Sequence, residues 1–313
     1  MATRTLHPFC ETVVATRKEA GIPEYASLDP AGARALMAQV MANAPPPTDL
    51  PDLASVEDFT IAGPHGDIPV RRYTPHGEVK GTIVYFHGGG WVLGDLDTGD
   101  GICRRWAGWA GVEVLSVDYR LAPEYPFPIP LDDCYAGLEW AAANMSRPLF
   151  IAGDSAGGNL CAGVAIKARD ENGPALAGQI VIYGALGFDF ESESYREVGD
   201  MGWMLTEADM VWFWAHYLSG EADNASPLAV PLNLKHASGL APAFITTGDC
   251  DVLCDDNLAY AELLKSAGVP VELRVDPGMF HGYYSMTSFA DPAKEAVEAT
   301  VRWIGERIAA SQS

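Results

Sequence analysis

The sequence predicts an α/β protein in which a mostly parallel central sheet is flanked by helices. After residue 80, short apolar runs recur that are nearly continuous and often β-branched, as expected of strands buried on both faces of a parallel sheet. Helical patterns fill most of the gaps, and such alternation places helices on both faces of the sheet. The chain has 313 residues, of which 48% are hydrophobic and 20% charged, so it can bury a sizeable core.

The first fifty residues have a different pattern and predict a helical cap segment. Two helix-like stretches, residues 7–18 and 31–42, are followed by three prolines at positions 45–47, which cannot continue a helix. We therefore expect residues 1–50 to form an N-terminal helical cap and residues 51–313 to form the main domain.

Strands and helices are expected in a regular order after the cap. Residues 56–61 and 68–73 flank a turn-rich segment and predict a β-hairpin. Buried strands are expected at 82–86, 112–117, 149–152, 179–183, 243–247 and 271–275. Helices are expected at 99–110, 132–144, 158–170, 255–267 and 292–308.

One gap, about residues 187–240, is too long for a single crossover helix. It predicts an inserted helical segment before the last two strands that covers the same face of the domain as the N-terminal helices. Trp212 and Trp214 lie on its helix-like stretch and are expected to be core residues. Trp203 and Met204 precede that stretch and are better placed to touch a ligand.

The charge of the chain excludes several kinds of partner. A net charge of −22 repels phosphate backbones and anionic lipid, so we expect neither nucleic-acid binding nor membrane-surface docking. No window approaches the run of about 18 apolar residues that a membrane span needs. Residues 1–11 have no apolar stretch of the kind that a secretory signal carries, so a cytoplasmic protein is expected.

The six cysteines predict reduced thiols. They are scattered without a CxxC pair in a long chain. Cys250 and Cys254 lie four residues apart with Asp249 and Asp251 nearby, but no histidine stands there at ligand spacing. We therefore expect no metal site.

A G-D-S-A-G pattern at residues 153–157 predicts a nucleophile. It directly follows the apolar run 149–152 and directly precedes a helix. A serine at a sharp strand-to-helix turn has its hydroxyl exposed, and flanking glycines avoid clashes with the neighbouring strand and helix. The following helix also points its N–H groups at the place where negative charge develops. Ser155 is therefore expected to attack an electrophile.

An H-G-G-G-W pattern at residues 87–91 predicts a loop that stabilises an anion. Three glycines let main-chain N–H groups turn inward, where they act on a tetrahedral oxyanion together with the N–H of Ala156. A phosphate-binding loop is the alternative, but it needs a Walker lysine or a G-x-G-x-x-G frame, and neither is present. His87 is expected to brace the loop by hydrogen bonding.

A serine hydroxyl needs a base at neutral pH, and the base needs an orienting carboxylate. After a nucleophile turn of this kind the chain order is serine, acid, histidine. Three histidines follow Ser155: His216 lies in the aromatic helix, and His236 lies in a loop before a strand. His281 comes just after the last strand, at the carboxyl edge of the sheet, and is the expected base.

The acid is expected in the loop after the preceding strand, where four aspartates compete. Asp255 and Asp256 fit better as carboxylates at a helix N-terminus. Spacing alone leaves the choice between Asp249 and Asp251 open.

The motifs resemble those of the hormone-sensitive-lipase-like family of α/β-hydrolase carboxylesterases. The H-G-G-G and G-D-S-A-G patterns both match the family, and D-Y-R-L-A-P-E at residues 118–124 matches a highly specific segment of it. The resemblance runs from about residue 56 to the C-terminus. It implies an α/β-hydrolase fold and makes residues 51–313 the catalytic domain.

The resemblance also implies roles for single residues. The family's acid motif, D-x-L followed by acidic residues, matches Asp251 better than Asp249. The family's histidine block matches residues 280–283, with His281 as the base. The family's oxyanion donors correspond to Gly89, Gly90 and Ala156, and residues 204–206 with 212–214 resemble the cap segment that lines its pocket. The expected substrate-binding residues are Trp91, Trp203, Met204 and Leu205.

These observations predict a serine esterase that hydrolyses short- to medium-chain carboxylic esters, with a small-molecule ester as its partner. No metal or organic cofactor is implied, and the family often forms homodimers through its last strand and C-terminal helix. The same triad acting on a lactone, carbamate, thioester or amide is the nearest alternative, and a long-chain lipase is another. A non-catalytic binding module, as in gibberellin receptors of this fold, is disfavoured because His281 is present.

Overall fold

The computed structural model describes residues 4–311 of the chain, so the first three residues of the predicted cap and the last two of the main domain lie outside the described residues. Eight strands are described: β1 (Ser55–Ile61), β2 (Ile68–Thr74), β3 (Thr82–Phe86), β4 (Glu113–Val117), β5 (Leu149–Asp154), β6 (Gly178–Ile182), β7 (Ala243–Gly248) and β8 (Val271–Asp276). Ten α-helices are described: α1 (Pro8–Glu19), α2 (Pro30–Asn43), α3 (Asp100–Trp106), α4 (Ile129–Asn144), α5 (Ala156–Asp170), α6 (Glu193–Val198), α7 (Glu207–Tyr217), α8 (Glu221–Ala225), α9 (Cys254–Ser266) and α10 (Asp291–Ser311).

The strands form one sheet in the order β1-β2-β4-β3-β5-β6-β7-β8. The hairpin β1–β2 is antiparallel and pairs antiparallel with β4, whereas all other neighbours are parallel. Every residue of β3, β4 and β6 is buried, which explains why their sequences are mostly apolar. The predicted mostly parallel sheet flanked by helices is confirmed.

Two hydrophobic clusters fill the space between the sheet and its helices. One packs α4, α5 and α9 onto one face of the sheet, and the other packs α3 and α10 onto the opposite face. None of the helices in residues 4–311 is long and apolar enough to cross a membrane.

Local sequence signals begin several of the helices. Asp29 caps α2 by accepting the N–H of Gly32, and Thr206 and Asp209 form a reciprocal capping box at the start of α7. The helix predicted for residues 99–110 is shorter than expected. The α-helix α3 ends at Trp106 and is followed by a π-helical turn from Ala107 to Gly111. Gly111, with a φ of +68°, ends that turn before β4.

The long segment between β6 and β7 contains the three short helices α6, α7 and α8. Its contact with the N-terminal part of the chain is direct. Tyr25 and Phe213 are 5.9 Å apart between ring centroids, and the N–H of Ala26 donates to Asp209 on α7. The division into a cap at residues 1–50 and a catalytic domain at residues 51–313 stays a prediction.

The parallel arrangement brings five loops to one edge of the sheet. The glycine loop follows β3, Ser155 follows β5, Tyr183 follows β6, and Asp251 and His281 follow β7 and β8. Because the carboxyl ends of parallel strands share an edge, residues far apart in the sequence meet there.

Candidate active site

Ser155 lies in a turn whose conformation is strained and whose main chain is fully engaged. Its φ is +56° and its ψ −119°, outside the usual regions for a residue with a side chain. Its N–H donates to the carbonyl of Ile182 (2.9 Å), and its own carbonyl accepts from Ala185 (3.2 Å). A Cβ on Gly157 would overlap the carbonyl oxygen of Phe86, so α5 packs against the end of β3 only with glycine there.

A chain of hydrogen bonds connects the three residues predicted as nucleophile, base and acid. His281 Nε2 lies 2.9 Å from Ser155 Oγ, and His281 Nδ1 lies 2.7 Å from Asp251 Oδ2. The Asp251 side chain is fully buried, and its other oxygen accepts the N–H of Leu253 (2.9 Å). The structure therefore brings all three side chains together in the order that the sequence predicts.

The competing aspartates have other contacts. Asp249 Oδ1 accepts the N–H of Gly278 (2.6 Å), which connects the loop after β7 to the loop that carries His281. Asp256 accepts the N–H groups of Leu186 and Gly187, at the start of the insertion. Burial raises the pKa of Asp256 to about 8, and the neighbouring carboxylates add to this rise.

The glycine loop leaves main-chain donors free beside Ser155. The carbonyl of Gly89 accepts from both Val92 and Leu93, so the loop closes in a tight turn. The N–H groups of Gly89, Gly90 and Ala156 donate to no protein acceptor in the part of the chain that the structure describes. Donors of this kind stabilise the oxyanion of an acyl-transfer transition state.

Asp154 braces the glycine loop, a contact that the sequence analysis missed. Its Oδ1 accepts the Tyr85 hydroxyl (2.5 Å) and the N–H of Gly88 (2.9 Å). Burial raises the pKa of Asp154. The position of Asp154 directly before Ser155 could have predicted this contact, because the end of β5 lies beside the end of β3, where the glycine loop begins.

His87 braces the same loop from the other side. Its Nδ1 donates to the carbonyl of Gly88 (2.7 Å), and its ring stacks on Tyr119 at 4.3 Å between centroids. The Tyr119 hydroxyl in turn donates to the carbonyl of His87 (2.7 Å). Burial lowers the pKa of His87 to about 4, so the imidazole is neutral at pH 7.

The four predicted substrate-binding side chains differ in exposure. Trp91 has no accessible surface, because it stacks on Tyr217 at 4.3 Å and also packs against Trp214. It lines no open cavity in this structure, and Leu205 is likewise buried. Met204 and Trp203 are partly exposed.

Trp203 faces a surface groove that it forms with Arg4, Leu6 and Val14 of the N-terminal segment. This contact with the N-terminal segment was not predicted. A contact of these four side chains with substrate stays a prediction.

Phe213 on α7 lies against the glycine loop. A Cβ built on Gly90 would overlap the Phe213 ring, so the ring packs directly on this glycine. Tyr25 packs on the outer side of Phe213, which is 3% exposed. The sequence gives no signal for this contact, because an aromatic residue on an apolar helix is most often an ordinary core residue.

The strained serine, the imidazole and the carboxylate at the carboxyl edge of a mostly parallel sheet define a class of protein, the α/β hydrolases. A model of a family with the α/β-hydrolase fold matches residues 83–285. The chain belongs to this family.

Several proteins similar to this chain are ester hydrolases by name. It is 38% identical over 296 residues to the carboxylic ester hydrolase LipN of Mycobacterium tuberculosis, covering 90% of this chain and 78% of that protein. It is 42% identical over 272 residues to the carboxylesterase NlhH of the same organism, covering 82% and 83%. A hyperthermophilic esterase from Pyrobaculum calidifontis has a similar structure, with a TM-score of 0.87 and 35% identity over 96% of this chain and 98% of that one.

These similarities confirm the predicted resemblance to the hormone-sensitive-lipase-like esterases and the predicted α/β-hydrolase fold. They also confirm the predicted enzyme class, a carboxylic ester hydrolase.

Proposed function

We propose that this protein is a serine carboxylesterase that cleaves short- to medium-chain esters through an acyl-enzyme on Ser155. One observation carries the proposal: a continuous chain of hydrogen bonds runs from Ser155 Oγ through His281 to Asp251, beside three N–H groups that have no partner among the described residues. The esterases among the relatives act on small-molecule esters, and we assign the same kind of substrate to this chain.

The reaction has two halves. His281 Nε2 takes the proton of Ser155 while Oγ attacks the ester carbonyl, and the same imidazole then protonates the leaving alcohol. Water attacks the acyl-enzyme in the second half, again with His281 as the base. Asp251 holds the imidazole in the tautomer with its proton on Nδ1 and stabilises the imidazolium.

The free N–H groups of Gly89, Gly90 and Ala156 hold the oxyanion that forms in both halves. Loss of one such donor costs about 10²- to 10³-fold in kcat, so the shape of the glycine loop matters as much as the triad. Asp154 and His87 maintain that shape from its two sides.

The proposed acyl preference rests on the aromatic side chains around the glycine loop. Phe213 lies on Gly90, and Trp91 is packed between Trp214 and Tyr217. A site bounded by large, tightly packed rings accommodates short acyl groups better than long ones.

The proposal is tested by hydrolysis of p-nitrophenyl esters from acetate to palmitate, in parallel with the Ser155→Ala variant. We expect a maximum at short chains, complete dependence on Ser155, and an acyl adduct on the intact wild-type protein by mass spectrometry. Equal turnover by the variant would contradict Ser155 as nucleophile. If the protein hydrolyses no ester but does hydrolyse a lactone, carbamate, thioester or amide, the same triad acts on that acyl bond instead.

The cytoplasmic location and the homodimer stay predictions. β8 lies at one end of the sheet, so the pairing of last strands that the family resemblance implies would extend it. A monomer observed by light scattering would contradict the predicted homodimer.

A further inference from the structure

The side chain of Arg4 joins three segments of the protein behind the triad. Its Nε donates to Glu197 on α6 (2.8 Å), and its Nη1 donates to the carbonyl of Asp249 (2.6 Å), two residues before Asp251. Its Nη2 lies 3.6 Å from Asp255 at the start of α9. The Arg4 side chain is only 14% exposed, so these contacts are partly shielded from water.

The contacts of Arg4 continue into the loop that carries His281. The N–H of His7 donates to the carbonyl of Gly278 (2.9 Å), while the N–H of Gly278 donates to Asp249. Residues 4–7, which we call the N-terminal strap, therefore touch both loops that hold the base and the acid. Cys10, one helical turn further on, is buried with its Sγ 3.9 Å from Met279 Sδ.

Arg4 is also the cation in a region crowded with carboxylates. The segment from residue 249 to residue 256, which includes the first turn of α9 and which we call the acid loop, carries four aspartates. Glu197 faces it from α6. Within residues 4–311, Arg4 is the one Lys or Arg that pairs with any of these five carboxylates, since the remaining ion pair is between Asp251 and His281.

The thiols and phenols around the acid loop and His281 add no charge at pH 7. Burial raises the pKa of each nearby thiol and phenol, so these stay neutral at pH 7, and the carboxyls of Asp154 and Asp256 also have raised pKa values. The thiols and phenols are Cys250, Cys254, Tyr183 and Tyr195.

We propose that Arg4 is a positioning residue, which holds the acid loop in the geometry that points Asp251 at His281 and offsets the negative charge behind the imidazole. This rests on the proposed function of the triad. Without Arg4, the carboxylates repel one another and the imidazolium is favoured over the neutral imidazole. Because His281 must be neutral to accept the proton of Ser155, the acid limb of the pH–rate profile then lies at higher pH.

The test compares three variants by kcat and KM for p-nitrophenyl butyrate between pH 5 and pH 10. Arg4→Met keeps an unbranched apolar side chain and removes the charge and donors of the guanidinium, and Arg4→Lys keeps the charge. Lys18→Met is the matched control, because it removes one positive charge from the exposed end of α1, away from the acid loop. Active-site titration normalises each rate to folded enzyme, and thermal unfolding reports any loss of stability.

We expect Arg4→Met to move the acid limb up by about half a pH unit or more and to lower kcat at pH 7 about tenfold, with little change in KM. Added salt at about 1 M should move the limb back, because the carboxylates are then screened. Arg4→Lys should keep the limb near its wild-type position, and Lys18→Met should superimpose on wild type.

An unmoved acid limb in Arg4→Met would overturn the proposal, as would an equal shift in Lys18→Met, which would show an effect of net charge alone. The midpoint of His281 titration by NMR checks the electrostatic role without any turnover. If wild-type protein hydrolyses no acyl bond, the proposed function fails, and the NMR midpoint in Arg4→Met still decides the role of Arg4.

Discussion

The two halves of the site are held in place by different kinds of contact. The nucleophile half consists of the segments 87–93 and 153–159 and is held mainly by main-chain hydrogen bonds. The main chain of Ser155 is hydrogen-bonded to Ile182 and Ala185, and the Gly89 carbonyl accepts two N–H groups. The acid–histidine half consists of the segments 248–256 and 277–283. Here carboxylate side chains accept main-chain N–H groups, as Asp249 accepts the N–H of Gly278.

This difference predicts how each half responds to change. Main-chain hydrogen bonds inside a strand–turn–helix unit depend on local packing and respond little to pH or salt. The interactions of carboxylates that brace a loop depend on the charges around them. They also depend on residues distant in the sequence, such as Arg4. We therefore expect the nucleophile half to be sensitive to added volume and the acid–histidine half to be sensitive to lost charge.

The largest expected effect separates the two aspartates that follow β7. Asp251→Asn should lower kcat about 10⁴-fold, because an amide at this position holds the imidazole in the wrong tautomer. Asp249→Asn keeps an oxygen that accepts the N–H of Gly278, so its kcat should stay within about tenfold of wild type. Steady-state kinetics on p-nitrophenyl butyrate measure both, and a reversed order would make Asp249 the acid.

Volume added to the glycine loop tests the nucleophile half. Gly90→Ala should lower kcat about 10²-fold, because its Cβ overlaps the Phe213 ring and displaces the N–H that holds the oxyanion. Gly202→Ala is the matched control, since Gly202 has a similar φ of +67° and no atom within 4 Å of its Cβ position.

The control should therefore lose about 1 kcal/mol of stability through backbone strain while keeping its kcat. A second substitution, Phe213→Ala, should restore part of the activity of Gly90→Ala. If Gly90→Ala turns over like wild type, the Phe213 ring does not fix the glycine loop.

The sequence anticipates the two halves unequally. The six parallel strands can be predicted from short apolar runs. The nucleophile turn can be predicted from an apolar run, a glycine-flanked serine and a helix in succession. Asp251 could be preferred over Asp249 only through family resemblance, because both follow the same strand. Arg4 and Phe213 have no local signal, since their roles arise from partners that lie about 120 to 250 residues away in the chain.

Asp154, like His87, departs from this pattern in the nucleophile half, because its side chain holds the glycine loop. Asp154→Asn keeps the acceptor but removes the charge that strengthens its bonds to Tyr85 and Gly88. We expect kcat to fall about tenfold with little change in KM. Tyr85→Phe removes one of the two donors and should mainly lower the free energy of unfolding, by about 1 kcal/mol. A larger loss of kcat in Tyr85→Phe than in Asp154→Asn would contradict the role of Asp154.

The smallest expected effect concerns Asp118, a carboxylate near the nucleophile half whose neighbour His87 is neutral at pH 7. Asp118 Oδ1 lies 4.0 Å from the buried His87 Nε2, and burial, with repulsion from Asp95, raises the pKa of Asp118 to about 6. Because this pKa lies above the value in the unfolded chain, the unfolded state loses its proton first. The free energy of unfolding therefore falls as pH rises from about 4 to about 6.

Asp118→Asn should remove this dependence. The full shift corresponds to about 3 kcal/mol, and we expect about 1 kcal/mol because the side chain is 31% exposed and partly screened by water. Urea unfolding at pH 4 and pH 7 measures the difference, with Glu57→Gln on the exposed side of β1 as the control. The variant should match wild type at pH 4 and exceed it at pH 7. If Asp118→Asn and wild type are equally stable at both pH values, Asp118 is well hydrated and its charge does not destabilise the folded protein.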